Sequence, residues 1–112
     1  EADGLVLASP VYYASANGSL ISLLDRLFHS SKFNKTMKVG ASIAVARRGG
    51  VTLTLQEMLM FFAINNMIVA GSTYWNMVIA GPEGTALEDE EGIDTIRLFA
   101  ANVAKIIKKV RD

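Results

Sequence analysis

Two short stretches of the sequence carry residue types suited to binding a flat aromatic ligand. Residues 9–13 read Ser-Pro-Val-Tyr-Tyr after an apolar run, and small polar residues able to start a helix follow them. Tyrosine rings offer such a ligand an aromatic wall, and a helix N-terminus adds positive potential. Residues 46–50 read Ala-Arg-Arg-Gly-Gly, and consecutive glycines let a backbone approach a ligand closely.

The elements around these stretches predict a parallel sheet covered by helices. Leu5–Ala8 is predicted to be a strand buried on both faces, ending at Pro10 because proline cannot donate to a ladder. Residues 39–45 and 67–70 are predicted to be the next two strands. Apolar stripes predict helices that end near Ser30, begin near Thr52 or Thr54, and begin near Gly92.

This alternation predicts a three-layer α/β sandwich with right-handed crossovers, in which residues 74–92 form a long irregular stretch. Ligands bind such sheets at the carboxyl ends of the strands. We therefore expect the two ligand-binding stretches to lie together at one edge of the sheet.

Composition excludes several classes of function. Among 112 residues, 11 Lys and Arg balance 11 Asp and Glu, so no net field favours nucleic acid or an anionic membrane. The absence of cysteine excludes disulfides, thiolate catalysis and cysteine-held metal or iron–sulfur centres within these residues. No apolar run approaches the ~20 residues of a membrane helix. No signal peptide is visible, so a cytoplasmic location is predicted.

Side chains for acid–base, nucleophilic or metal chemistry are not apparent. His29 is the sole histidine and is expected on a helix surface, because a single imidazole lacks partner ligands. The acidic residues 88–91 are interpreted as solvated charge before a helix, because hard cations need convergent oxygen ligands. The sequence therefore predicts no catalytic side chain and no metal site.

In their order along the chain, several pieces resemble the flavodoxin-like NAD(P)H-dependent FMN reductases. These pieces are residues 9–13, Ser15, Leu23-Leu24-Asp25-Arg26-Leu27, the Ala46–Gly50 turn, residues 66–71 and Tyr74-Trp75-Asn76. The iron-sulfur flavoproteins and the multimeric flavodoxin-type quinone reductases are the relatives indicated. The resemblance implies strands three to five of a flavodoxin-like fold. Residues 1–112 are thus expected to be the C-terminal part of a single domain whose first strands and phosphate loop precede Glu1.

The resemblance also implies a function. NAD(P)H would reduce bound FMN, which would pass electrons to a small-molecule or redox-protein acceptor such as a quinone, another flavin or a metal centre. A homodimer or homotetramer is expected, because flavin sites in these relatives lie near subunit boundaries. Relatives often have Gln-Glu after the glycine pair, where this chain has Val51-Thr52, so only backbone contacts are carried over there. The predicted cofactor-binding residues are Pro10, Val11, Tyr12, Tyr13, Ser15, Ala46, Arg47, Arg48, Gly49 and Gly50.

Plainer interpretations remain open at this point. The tyrosines would then cover the sheet end or lie in a subunit interface, and Arg47 and Arg48 would be solvated charges at a strand end. Two other functions are also compatible with the sequence. One is an FMN electron carrier that does not turn over NAD(P)H, and the other is a cofactor-free oligomerising domain.

Overall fold

The fold alternates short strands with amphipathic or apolar helices. It was obtained as a computed structural model that describes residues 2–111, and five strands and three α-helices lie within that range. In chain order they are β1 (Gly4–Tyr12), β2 (Ser15–Ala16), α1 (Gly18–Ser30), β3 (Val39–Ala46), α2 (Val51–Ile64), β4 (Ile68–Val69), β5 (Met77–Ile79) and α3 (Glu90–Arg111), with a 3₁₀ turn at Ala86–Glu88.

The sheet is centred on the parallel pair β1 and β3. Their register runs from Gly4 opposite Val39 to Pro10 opposite Val45. On its other side β3 pairs in parallel with β4 at its beginning and with β5 at its end. The two short strands thus form one outer strand interrupted by residues 70–76, and the predicted parallel sheet is confirmed.

Helices cover both faces of this sheet, which confirms the three-layer α/β sandwich. On one face α1 and α2 bury a core that includes Leu7, Leu24, Met58 and Phe62. The Phe62 ring lies directly over Gly40, where any Cβ would overlap it. On the other face α3 packs Phe99 against β3 and Ala70. Periodic apolar residues in each helix therefore position the loops that join them to the strands.

The prediction that β1 is buried on both faces is wrong. Leu7 and Ser9 are buried, but Val6 is 50% exposed and Ala8 and Pro10 are also exposed. The reason is that α3 lies over β3 and reaches β1 at Gly4, close to Ile107. Within residues 2–111 no helix covers the rest of that face.

The strand also continues through Pro10 to Tyr12, so the predicted end at Pro10 is wrong. Proline is tolerated in a strand that lacks a neighbour on one side. Away from β3, the described residues pair β1 only at Val11 and Tyr12, with β2. The remaining length of this edge of β1 is open.

The stretch predicted to be irregular contains β5 and, from Glu90, the start of α3. The strand predicted at 67–70 is only two residues long, because the chain leaves β3 after Val69 and returns to it at Met77. Helix α3 therefore begins two residues before the predicted Gly92. Across residues 2–111, no helix has the combination of length and apolar character that a bilayer crossing requires.

Candidate functional site

The first stretch singled out from sequence forms a tight β-hairpin. Val11 pairs with Ala16 and Tyr12 with Ser15, which leaves a two-residue turn at Tyr13-Ala14. Both turn residues have left-handed backbones, with φ of 51° and 61°. Such turns usually carry Asn-Gly, because other residues are strained there. Strained backbone of this kind is common at functional sites.

The aromatic side chains of this hairpin face solvent. Tyr13 is fully exposed at the tip, and Tyr12 is 55% exposed. Val11 is half-buried against the core beneath α1 and α2. Pro10 lies on the uncovered face of β1. The hairpin therefore presents one fully exposed and one half-exposed aromatic ring.

Buried polar groups hold the base of the hairpin. The Ser9 hydroxyl donates to the Pro10 carbonyl at 2.8 Å and accepts from the Asn17 amide at 2.8 Å. Asn17 in turn caps α1, as its side-chain oxygen accepts from the amides of Ser19 and Leu20.

A carboxylate from α2 holds the second strand of the hairpin. Glu57 accepts from the Ser15 hydroxyl at 2.9 Å and from the Ala16 amide at 2.8 Å. The Ser15 hydroxyl, predicted to face a cofactor, therefore donates to Glu57 in this structure. Glu57 thus fixes the position of the tyrosine hairpin relative to α2.

The second stretch begins inside the sheet and ends in solvent. Ala46 is the buried last residue of β3, and its carbonyl accepts from the Ala80 amide at 2.9 Å. Arg47 and Arg48 are exposed, and neither belongs to an ion pair among residues 2–111. A Cβ placed on Gly49 would meet no atom within 4 Å. The turn therefore presents two cations and an unobstructed backbone.

The two stretches touch at Gly50. Its φ of 91° is left-handed, and a Cβ there would lie 2.8 Å from the Ala14 Cα and 2.9 Å from Val11 Cγ1. Only glycine combines this backbone with such a close approach. The two stretches therefore lie at one edge of the sheet, as expected. We refer to the hairpin at Val11–Ala16 and the turn at Ala46–Gly50 together as the rim.

The rim also contains an open helix terminus. No side chain caps the start of α2, and its first turn holds no acidic residue. Its first N–H groups and the positive end of the helix dipole are therefore available to an electronegative ligand edge. Together with an exposed aromatic pair and an unhindered Gly49, these donors fit the ring of a flavin.

Helix α3 begins differently. Asp89 accepts from the Ile79 amide at 2.7 Å and from the Gly92 amide at 3.0 Å. These two backbone hydrogen bonds lower the pKa of Asp89 below its usual value, and the bond from Ile79 has the larger effect. Burial has a smaller, opposing effect on this pKa. This terminus is closed by the chain's own carboxylate.

A groove of about 710 Å³ runs beside α2. Thr52, Gln56 and Leu59 form one wall, and Tyr74 and Trp75 belong to the opposite wall. The two aromatic rings pair with centroids 4.9 Å apart. No residue lining this groove is charged.

The remaining candidate residues are His29 and the acidic residues 88–91. His29 is exposed near the end of α1. Residues 88–91 include the Asp89 cap, and no group of three or more potential ligands within residues 2–111 is arranged to hold a metal ion.

Sequence reasoning missed Ser9 and Glu57 as the residues that shape the rim. Ser9 gave no signal, since it is one of many small polar residues. Glu57 did give one, because it is the single charged residue in α2. A lone charge in an otherwise uncharged helix indicates a specific partner.

The architecture and the position of the rim define a flavodoxin-like α/β protein. A solved structure described as a flavodoxin, WrbA-like protein from Agrobacterium tumefaciens shares this fold, with a TM-score of 0.75 over 96% of this chain and 68% of that one, at 20% identity. Residues 1–81 match the NADPH-dependent FMN reductase family, and the chain belongs to that family.

Curated relatives point the same way. An iron-sulfur flavoprotein of Methanocaldococcus jannaschii is 34% identical over 99% of this chain and 62% of its own length. One of Methanosarcina thermophila is also 34% identical, over 99% of this chain and 61% of its own length. The chain thus spans about three fifths of these relatives.

Proposed function

We propose that this chain supplies the ring-binding rim of an FMN-dependent oxidoreductase that takes electrons from NAD(P)H. The acceptor is a quinone, another flavin or the metal centre of a redox partner. The proposal includes a cytoplasmic location and a homodimeric or homotetrameric protein. Membership of the NADPH-dependent FMN reductase family supports it.

The observation that carries the proposal is the contact of Gly50 with Ala14 and Val11. It joins an aromatic hairpin, a glycine turn and an uncapped helix terminus in one rim. A planar ring with an electronegative edge needs this combination of a flat wall and backbone donors. FMN, when bound, supplies the redox chemistry by accepting a hydride and releasing electrons.

The residues of this chain bind and orient the cofactor. Tyr12 and Tyr13 provide the wall, while the backbone of Gly49 and the first turn of α2 donate hydrogen bonds. Arg47 and Arg48 favour negative charge at the rim. Ser15 and Glu57 act indirectly, by holding the hairpin in position. No step requires an acid or base from the chain.

Two glycine variants test whether the rim binds the cofactor. Gly50→Ala introduces a left-handed alanine that also collides with the hairpin, whereas Gly84→Ala introduces one at a φ of 82° with no atom within 4 Å. Both variants carry backbone strain, but only the first displaces the rim. We expect Gly50→Ala to weaken FMN binding at least tenfold, measured by quenching of flavin fluorescence, and Gly84→Ala to leave it unchanged. Equal affinities for both variants would contradict the proposed site.

Anaerobic mixing of the FMN-loaded protein with NADPH or with NADH tests whether either nucleotide reduces the bound flavin. Bleaching of the flavin absorbance by either nucleotide is the expected result. A protein that binds FMN but is reduced by neither nucleotide would be an electron carrier. A protein that binds no FMN would contradict the proposed function.

A further inference from the structure

Lys35, in the loop between α1 and β3, is only 8% exposed, and no other basic residue among residues 2–111 is buried. A lysine is almost never buried unless it is paired, yet neither ion pair within this range includes Lys35. Its one hydrogen bond to a described residue goes from Nζ to the Ser31 carbonyl at 3.4 Å, longer than an ordinary bond. An ammonium group has three N–H donors, so Lys35 keeps donors that the described fold does not use.

Two phenylalanine rings flank this ammonium group. Its Nζ lies 4.3 Å from the ring centroid of Phe33 and 5.9 Å from that of Phe28. Phe28 packs in turn against Phe61 and Phe62, with ring centroids 5.4 Å and 6.4 Å away. Cation–π attraction offsets part of the cost of burying the charge, but it supplies no acceptor for the N–H groups in the ring plane or beyond it. The buried ammonium is therefore held against an apolar wall with room for an acceptor.

Lys35 lines a cavity of about 90 Å³. Lys38 is a second cation in the lining, and its Nζ donates to the Ala2 carbonyl at 2.5 Å. No acidic side chain from residues 2–111 lines the cavity. The rest of the lining is apolar and consists of Gly4, Leu5, Leu27, Phe28, Phe33 and Met67. Two cations beside an apolar wall fit a carboxylate that carries a hydrocarbon tail.

The volume of the cavity limits the length of that tail. A water molecule takes up about 30 Å³ in the liquid, so 90 Å³ holds roughly three heavy atoms. A cavity that binds benzene is larger, at about 150 Å³. A propyl group therefore fits, whereas an aromatic ring does not.

The cavity and the rim lie at opposite ends of the sheet. Gly4 begins β1, and Lys38 and Met67 immediately precede β3 and β4, whereas the rim contains the ends of β1 and β3. Gly4 and Val11 are seven residues apart in one strand, which at about 3.3 Å per residue corresponds to roughly 23 Å. A ligand in the cavity would not touch a ring bound at the rim.

We propose that this cavity is a second ligand site, which binds a short-chain aliphatic carboxylate of the size of butyrate. The carboxylate accepts hydrogen bonds from the ammonium groups of Lys35 and Lys38, and the propyl group fills the apolar part. Binding involves no covalent step and no flavin. This inference and the proposed function can therefore fail independently of each other.

Methionine methyl NMR tests the site, because Met67 lines the cavity and Met60 and Met77 do not. Protein labelled with ¹³C at the methionine methyl groups is titrated with sodium butyrate, and Met67→Leu assigns the Met67 signal. We expect a saturable shift of the Met67 signal, with those of Met60 and Met77 unchanged. Acetate lacks two methylenes and should bind about tenfold more weakly. Butyramide lacks the charge and should also bind at least tenfold more weakly.

A matched pair of lysine substitutions tests the cation. Lys35→Met removes the ammonium group and keeps an apolar stem, whereas Lys32→Met removes an exposed lysine of the same loop that does not line the cavity. We expect Lys35→Met to weaken butyrate binding at least tenfold and Lys32→Met to leave it unchanged, with circular dichroism confirming that both variants fold. Lys38→Met replaces the second cation and should weaken binding as well, so the test does not depend on the folding of Lys35→Met.

Four results would overturn the proposal. The first is a Met67 signal that does not respond to butyrate. The second is equal affinity for butyramide, which would make the cavity merely apolar, and the third is equal affinity for inorganic phosphate, which would make it a general anion site. The fourth is unchanged butyrate affinity in the folded lysine variants of the cavity.

Discussion

Helices α2 and α3 both bury an apolar face, but they differ at their termini and on their outer faces. Asp89 closes the N-terminus of α3, Glu90 and Glu91 lie in its first turn, and basic residues lie in its last turn. Each of these suits the helix dipole. Helix α2 has no capping side chain, no acidic residue in its first turn and no basic residue in its last.

The outer faces differ in the same way. Helix α3 presents charged residues such as Arg97 and Asp94 to water. The exposed side of α2 instead carries three apolar side chains, Leu53, Met60 and Ile64. Helix α3 thus has a capped N-terminus, end charges that suit its dipole and a charged outer face, as a surface helix requires. Helix α2 leaves its first N–H groups without a capping side chain and leaves apolar side chains exposed on its outer face.

The largest effects should come from the buried faces, where the two helices are alike. Phe99→Ala in α3 and Met58→Ala in α2 remove side chains that are 1% and 0% exposed. We expect the free energy of unfolding to fall by about 3–5 and 2–5 kcal/mol respectively, measured by urea denaturation. A loss below about 1 kcal/mol at either position would break the premise that both helices bury equivalent stripes.

Glu57 tests whether the single charge of α2 is structural. Glu57→Ala leaves the buried Ala16 amide and the Ser15 hydroxyl without their acceptor, so we expect a loss of about 1–3 kcal/mol. Faster hydrogen exchange at the Ala16 amide should accompany that loss. Glu91→Ala in the first turn of α3 is the control, with an expected effect of about 0.3–1 kcal/mol. Equal losses for the two variants would show that Glu57 does not hold the hairpin.

Asp89 tests the closed terminus of α3. Asp89→Ala should destabilise the fold by about 0.5–2 kcal/mol at neutral pH. Because folding lowers the pKa of this carboxyl, its contribution is present above the ordinary value of 3.8 and disappears as pH falls from there through the folded pKa. The difference in unfolding free energy between the unmodified protein and the variant should therefore shrink on acidification. A difference that stays constant from neutral to strongly acidic pH would contradict the role of the two amide bonds.

The smallest effect is expected for the surface charges of α3. Arg97 and Asp94 form a 3.1 Å ion pair with both side chains about three quarters exposed. Arg97→Ala should change the unfolding free energy by at most about 0.5 kcal/mol, and sedimentation should be unchanged. A change in oligomeric state would indicate that α3 lies at a subunit contact.

The sequence predicted the features that depend on periodicity. Three helices form where apolar spacing predicted them, and each buries an apolar side chain, namely Leu24, Met58 and Phe99. The two glycine- and tyrosine-bearing turns also meet at one edge of the sheet. These features follow from local patterns that tertiary structure does not override. The role of the rim in binding a cofactor stays a prediction.

The errors concern features that depend on neighbours in space. An apolar run such as Leu5–Ala8 does not specify whether both its faces are covered, and in β1 only one of them is. Pro10 excludes a hydrogen bond but not a strand without a neighbour on that side. The hairpin at Tyr13-Ala14 lacks the Asn-Gly signal of its turn type. Glu57 lies 42 positions from Ser15 and 41 positions from Ala16 in the sequence. No local pattern reveals a contact over that separation.

At the Tyr13-Ala14 turn, engineering for higher stability would conflict with the proposed binding of the cofactor. Each L-residue with a left-handed backbone costs the fold roughly 1–2 kcal/mol of conformational free energy. Replacing this pair with asparagine and glycine would therefore raise the free energy of unfolding. The same replacement would strip the tip of its aromatic ring. Under the proposed function, laboratory selection for heat resistance alone would tend to replace Tyr13, whereas selection that also rewards FMN binding would keep it.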